Sequence, residues 1–297
     1  MKDTVLGMAQ RWFMFVQFEF PWELGPEDGR YLLRRSASVD EAEGEPEHVV
    51  VLRTLNAARP SWIMPRSGRK RQVKLVDPQV EATPVPVARA TVIDPQALGD
   101  EREAQAWLAR GDDELQAQAA IKVLNGVLWA HSIATADPYA REAAATQALV
   151  IRAGWGSGDQ VAAGHWEQAR ELSWKARRDR KHSAALRPQE RLAALLSGRE
   201  AALLCEEPTL RARRDLEAGR LLHAGLELEQ AYALAVEELG REDREDLATR
   251  LAELRELRGS FAGENPDEQA IRHALGRLEA ALRARTAAGV AGVREGS

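Results

Sequence analysis

Pro208–Gly240, PTLRARRDLEAGRLLHAGLELEQAYALAVEELG, is the longest run of the chain in which apolar residues recur at helical spacing. Leu221, Leu228, Tyr232, Ala235 and Leu239 fall on one helical face, and Leu222, Leu226, Ala233 and Val236 lie beside it. Together they form a stripe too wide for solvent, so the spacing predicts a helix buried against others. Pro208 suits a first helical turn, where its missing N–H has no partner to lose, and Gly219-Arg220 is a break that folds the segment into two packed helices. The stretch marks the centre of an all-helical second half.

The pattern continues on both sides. Leu247, Leu251, Leu254, Leu257 and Phe261 recur three or four apart, and so do Ile271, Leu275, Leu278 and Leu282 after the cap signal Asn265-Pro266. A loop near Gly259–Glu264 would close them into a helical hairpin, and residues 286–297 are expected to form a disordered tail. Towards the N-terminus, helices are expected at 101–110, 114–135, 137–152, 159–181 and 188–206.

Strand signals dominate before Asp94. Four of the five phenylalanines, Phe13, Phe15, Phe18 and Phe20, stand in one segment between Trp12 and Trp22. Alternation puts Trp12, Met14, Val16, Phe18, Phe20 and Trp22 on one face of a strand. Turn residues at Gly25-Pro26 and Asp28-Gly29 lead to a short strand at 31–33, expected to pair with the first as a hairpin. Strands are also expected at 48–55 and 72–76, with an acidic loop at 36–47 and a basic loop at 60–71. Pro84 and Pro86 place 82–94 on a sheet edge or in a linker. The architecture expected is α+β: a small, mostly antiparallel β-rich domain at 1–95, then a larger antiparallel helical domain at 96–285.

Composition bounds the function. The 297 residues are 44% hydrophobic and 29% charged, those of a globular chain with a sizeable core, and the net charge of −5 gives no general attraction to nucleic acid. Cys205 is the only cysteine, which excludes an intrachain disulfide and a thiolate zinc cluster and fits a reducing compartment. No secretory signal is evident, and apolar runs such as Trp12–Val16 fall far short of the roughly 20 residues that span a bilayer. The expected location is cytoplasmic, with no membrane span.

Motifs for chemistry are sparse. AGWGSG at 153–158 lies ahead of an expected helix, but it matches neither the phosphate-loop nor the dinucleotide fingerprint and reads as a turn. His223 and Glu227 share a helix face without the Glu-x-x-His pairs of a di-metal bundle; an exposed, ion-paired histidine is the simpler reading. His131, Asp137 and Arg141 suggest an acid–base set only until Asp137 is needed as a cap. No cofactor is implied. Two basic clusters stand out: Arg66, Arg69, Lys70, Arg71 and Lys74 near Trp62, and Arg170, Lys175, Arg177, Arg178, Arg180 and Lys181 near Trp166 and Trp174, the second on one expected helix. Cations interleaved with aromatics are what phosphate contact and base stacking require, whereas a solvated face is the plain alternative in so arginine-rich a chain.

Gly164–Ala169 and Gly219–Ala224 share a Gly-x4-Ala step that resembles the turn and second helix of a tetratricopeptide hairpin. The resemblance covers one hairpin and implies a helix after each glycine; the aromatic and leucine positions of a first helix are missing, and no family is assigned. The function expected is non-catalytic: an interaction or scaffold protein offering its helical half to a protein partner or to its own copy. The alternatives are a nucleic-acid-associated accessory protein using the basic clusters and an enzyme with dispersed active-site residues.

Overall fold

Strand β1 (Trp12–Phe20) is the hub of a six-stranded antiparallel sheet in the order β2-β3-β4-β1-β5-β6, completed by β2 (Gly29–Leu33), β3 (His48–Leu55), β4 (Val87–Ile93), β5 (Val150–Ser157) and β6 (Gln168–Glu171). The computed structural model describes residues 11–34, 46–55, 85–173, 188–242, 244–261, 263 and 265–294. The acidic loop up to Glu45, the strand expected at 72–76 and the basic loop 60–71 lie outside them. The fold is α+β, with the sheet in the N-terminal half.

Alternation along β1 decides the two faces of the sheet. Val16, Phe18 and Phe20 join Val50, Leu52, Ala90 and Val92 beneath two helices, α1 (Glu101–Arg110) and α2 (Asp113–Thr135), which contribute Leu108, Leu124, Val127 and Leu128 to that core. Asp100 and Asp112 cap these helices by accepting from Glu103 N and from Glu114 N and Leu115 N. On the opposite face Phe15, Val51 and Ile93 pack with Val161 and Ala162 from a short 3-10 turn at 158–163, and Phe15 lies 5.7 Å from Trp166. There the buried Gln17 amide donates to Thr91 Oγ1 at 2.9 Å.

Several expectations need correction. β2 pairs with β3, not with β1. β4 is an interior strand, not an edge or linker: Pro86 immediately precedes Val87 and removes no ladder N–H, and Pro84 lies outside the described residues. No helix spans 137–152, because Asp137 caps a turn through Tyr139 N and the chain from Val150 enters the sheet beside β1. The AGWGSG segment is strand as far as Ser157, and only its last residue, Gly158, belongs to the 3-10 turn. Its glycines recur every second residue and so share one face: a Cβ on Gly154 would stand 2.5 Å from the Gln168 carbonyl, and one on Gly156 2.8 Å from Val161. The helix expected at 159–181 is replaced, over its described part, by the 3-10 turn and β6. Gly164 does make the expected turn, with φ +94°, but a strand follows it instead of a helix.

The described residues fall into two compact units, one within 1–176 and one within 177–297. The boundary expected at 95 lies inside the first, because α1 and α2 pack on the sheet and β5 and β6 extend it. The second unit holds α3 (Pro188–Leu196), α4 (Glu206–Ala218), α5 (Leu221–Leu239), α6 (Glu245–Phe261) and α7 (Glu268–Arg294). α3 stops short of the expected 206 at Gly198, where φ is +69°, and Arg191 ties it to Glu200 and Glu206. The break at Gly219-Arg220 is as expected, with Gly219 at φ +78° between α4 and α5. Leu228, Tyr232, Leu239, Leu247, Leu254, Phe261, Ile271, Leu275 and Leu278 form the common core of α4 to α7. α7 continues to Arg294, through most of the expected tail.

Candidate interaction surface

The face of α5 opposite the core carries four exposed apolar residues among polar ones. Ala224, Leu228, Ala231, Tyr232, Ala235 and Leu239 are buried against α4, α6 and α7, which uses up one side of the helix. At 100° per residue, Leu222, Leu226, Ala233 and Val236 span roughly 80° of arc on the other side. Leu222 is 48% exposed, Leu226 57% and Val236 43%, and Ala233 is exposed as well. The sequence placed these four in a stripe too wide for solvent; among the described residues they stay exposed. Gln230 and Glu237 flank the stripe on one side, and Glu229, paired with Arg258, lies within its arc between Leu222 and Val236.

α2 shows a more broken pattern in the sheet unit. Leu115, Trp129 and Ile133 are exposed along one side, but the exposed Lys122 stands between Leu115 and Trp129, leaving separate apolar spots.

Of the basic residues named above, Arg66, Arg69, Lys70, Arg71, Lys74, Lys175, Arg177, Arg178, Arg180 and Lys181 lie outside the described residues. Arg170 is described, and its guanidinium points into the structure from β6. Nε donates to the Leu108 carbonyl at 3.0 Å, Nη2 to the Gly111 carbonyl at 3.1 Å, and Nη1 to Asp113 Oδ1. It satisfies carbonyls at the end of α1 and meets the first residue of α2, which is a structural role. Burial opposes ionisation of Asp113, but Arg170 and the Ser173 N–H outweigh it and hold its pKa below the usual carboxylate range.

Other charged groups are likewise absorbed by the fold. Arg89 Nη2 and Arg152 Nη1 both donate to Glu19 Oε1, at 2.9 and 3.0 Å, and together overcome the burial that would raise the pKa of Glu19. Arg213 grips Glu279 through two bonds of 2.9 and 2.8 Å, joining α4 to α7. Of the His131, Asp137 and Arg141 set, Arg141 lies 5.5 Å from the Trp22 ring centroid and Asp137 accepts from Tyr139 N as a cap. His223 is exposed on α5, and Arg211 approaches Glu227 at 3.8 Å. Burial, with Glu238 adding to it, pushes the Cys205 thiol up to about 12, far from a nucleophile's range. Among the described residues no three His, Cys, Asp or Glu side chains converge as a metal site, and no helix is long and apolar enough to cross a membrane.

No family model, curated protein or solved structure matches the chain.

Proposed function

We propose that the protein is a non-catalytic, cytoplasmic interaction or scaffold protein that binds another polypeptide through the outer face of α5. One observation carries this reading: four apolar residues at helical spacing remain exposed on a helix whose opposite side already fills a core. Burying a large aliphatic side chain contributes roughly 1.5–3 kcal/mol, so an exposed row of them favours a partner more than water. A buried, unreactive single cysteine is in keeping with a reducing compartment.

The test compares full-length wild-type chain with Leu222→Gln/Leu226→Gln as tagged bait in lysate of the native cells that also holds untagged copies of the chain. Protein retained by the wild type, lost by the variant and insensitive to nuclease supports the proposal. Equal retention by both chains refutes it, and retention that disappears with nuclease moves the basic segments around 66–74 and 170–181 to the front.

A further inference from the structure

α3 sits on the helical unit without entering it. None of its nine residues is buried, and none joins the core of α4 to α7. Leu192 and Leu196 are 48% and 80% exposed. A helix of this length falls short of the roughly 12–15 residues that hold an isolated helix together in water, so neither length nor burial accounts for it. Arg191 supplies what they lack. Its side chain is only 20% exposed; Nε donates to Glu200 Oε1 at 3.0 Å and Nη2 donates to Glu206 Oε1. Glu206 opens α4, so one guanidinium clamps α3 to the start of the next helix through two charge-assisted hydrogen bonds.

The chain that follows divides into a hinge and an anchor. Gly198 turns with φ +69° just after α3 ends, and residues 201–203 carry no regular structure. From Leu203 onward the backbone is fixed. Leu203 N donates to Glu206 Oε2 at 3.1 Å, and Leu204 N and Cys205 N donate to the two carboxylate oxygens of Glu238 on α5 at 2.8 and 3.0 Å. These anchoring bonds involve no residue of α3, so they persist when it leaves.

We infer that α3 is a strap, closed by the Arg191 clamp and hinged at residues 197–202, that opens and closes while the core of α4 to α7 stays folded. Opening breaks the clamp and exposes little new apolar area, because Leu192 and Leu196 already face water. Unfolding the core would expose Leu228, Leu247, Phe261 and Leu275 as well. The strap therefore opens far more often than the unit unfolds. An open strap releases Leu195, half-buried when closed, and the Glu206 carboxylate. The inference is independent of α5 being an interaction surface.

Hydrogen exchange of the full-length chain, read by mass spectrometry in peptides covering 192–200 and 228–235, tests the strap. In the wild type, 192–200 is expected to exchange about 100-fold faster than 228–235. About 1 M urea should speed 228–235 and leave 192–200 nearly unchanged, because urea acts in proportion to the surface an opening exposes. Arg191→Gln is expected to speed 192–200 about tenfold further, with 228–235 unaltered. Glu200→Gln keeps the bond to Glu206 and should act in the same direction by less. Exchange of the two segments in step, at one rate and with one urea dependence, would make α3 part of the core and overturn the inference. Wild-type 192–200 exchanging as fast as an unstructured peptide would overturn it too, since the strap would never close. The same holds if Arg191→Gln leaves 192–200 unchanged, or speeds both segments equally and so marks Arg191 as a residue of global stability.

Discussion

Gly225 and Phe261 meet so closely that a Cβ added to Gly225 would stand 2.6 Å from the Phe261 carbonyl oxygen. Glycine within a helix ordinarily costs up to about 1 kcal/mol relative to alanine, so α5 gives up helix stability to let the end of α6 approach. The obstructing atom belongs to the backbone and cannot swing aside. Gly225→Ala is expected to destabilise the helical unit by about 1–3 kcal/mol. Gly276→Ala, in α7 with nothing within 4 Å of the added methyl, is expected to stabilise it by about 0.5–1 kcal/mol. Urea titrations of the two variants should therefore move in opposite directions; a shared sign would contradict the close packing.

Arg170 and Asp113 make part of the stability of the sheet unit depend on pH. The pKa of folded Asp113 lies below its usual value near 3.8, so as pH falls the unfolded chain takes up this proton first. The contribution is complete above the unfolded value and disappears as pH drops through the folded one. Asp113→Asn is expected to cost about 1–3 kcal/mol at neutral pH and to flatten the loss of stability below pH 4. Melting curves between pH 2 and 7 would show it; an unchanged acid limb in the variant would remove Asp113 as its source.

Cys205 should be inert in the folded chain. With its thiol at about 12, little thiolate exists at pH 8, and the sulfur is buried. A disulfide reagent is expected to release no colour from native protein and one equivalent after denaturation. The raised value has a second effect: stability linked to this group is complete below the unfolded pKa, near 9, and is lost as pH rises towards 12. Rapid native labelling at pH 8 would show that the thiol is open to solvent.

Leu226→Gln separates binding from folding. The side chain is mostly exposed, so the substitution is expected to change the unfolding free energy by less than about 0.5 kcal/mol while weakening binding through α5. Circular dichroism melts alongside the lysate comparison measure both. A large drop in melting temperature would mean that Leu226 belongs to the core.

The helical unit was the more legible part of the sequence because its contacts are local. Leu247, Leu254, Ile271 and Leu278 lie on faces that period alone identifies, and Gly219 ends α4 where a glycine is needed. The sheet was less legible because its pairings are distant. Nothing near Val150 announces that it lies beside Glu19, and a run of Ile151, Ala153 and Trp155 admits a helix as readily as a strand. The readable sign was the two-residue spacing of Gly154 and Gly156, which belongs to one face of a strand. The candidate surface was half legible. Leu222, Leu226, Ala233 and Val236 were correctly singled out as apolar, but periodicity cannot say whether the cover comes from the same chain. Arg170 illustrates the opposite case: its charge suggested solvent or phosphate, and only the positions of the Leu108 and Gly111 carbonyls reveal its use.

The central place of β1 shapes how the chain must be made. Val16 pairs with Val92 on one side and with Ala153 on the other, so β1 waits until β5 has been made before both its edges are closed. Until then a growing polypeptide on the ribosome carries Phe15, Phe18 and Phe20 on a strand without partners, the condition that invites chaperones or clumping. The helices of the second unit meet neighbours that all lie within that unit and can fold soon after it emerges. A shortened product ending at residue 95 would keep β1 but never receive β5, and would leave the ribosome with one sticky edge permanently bare.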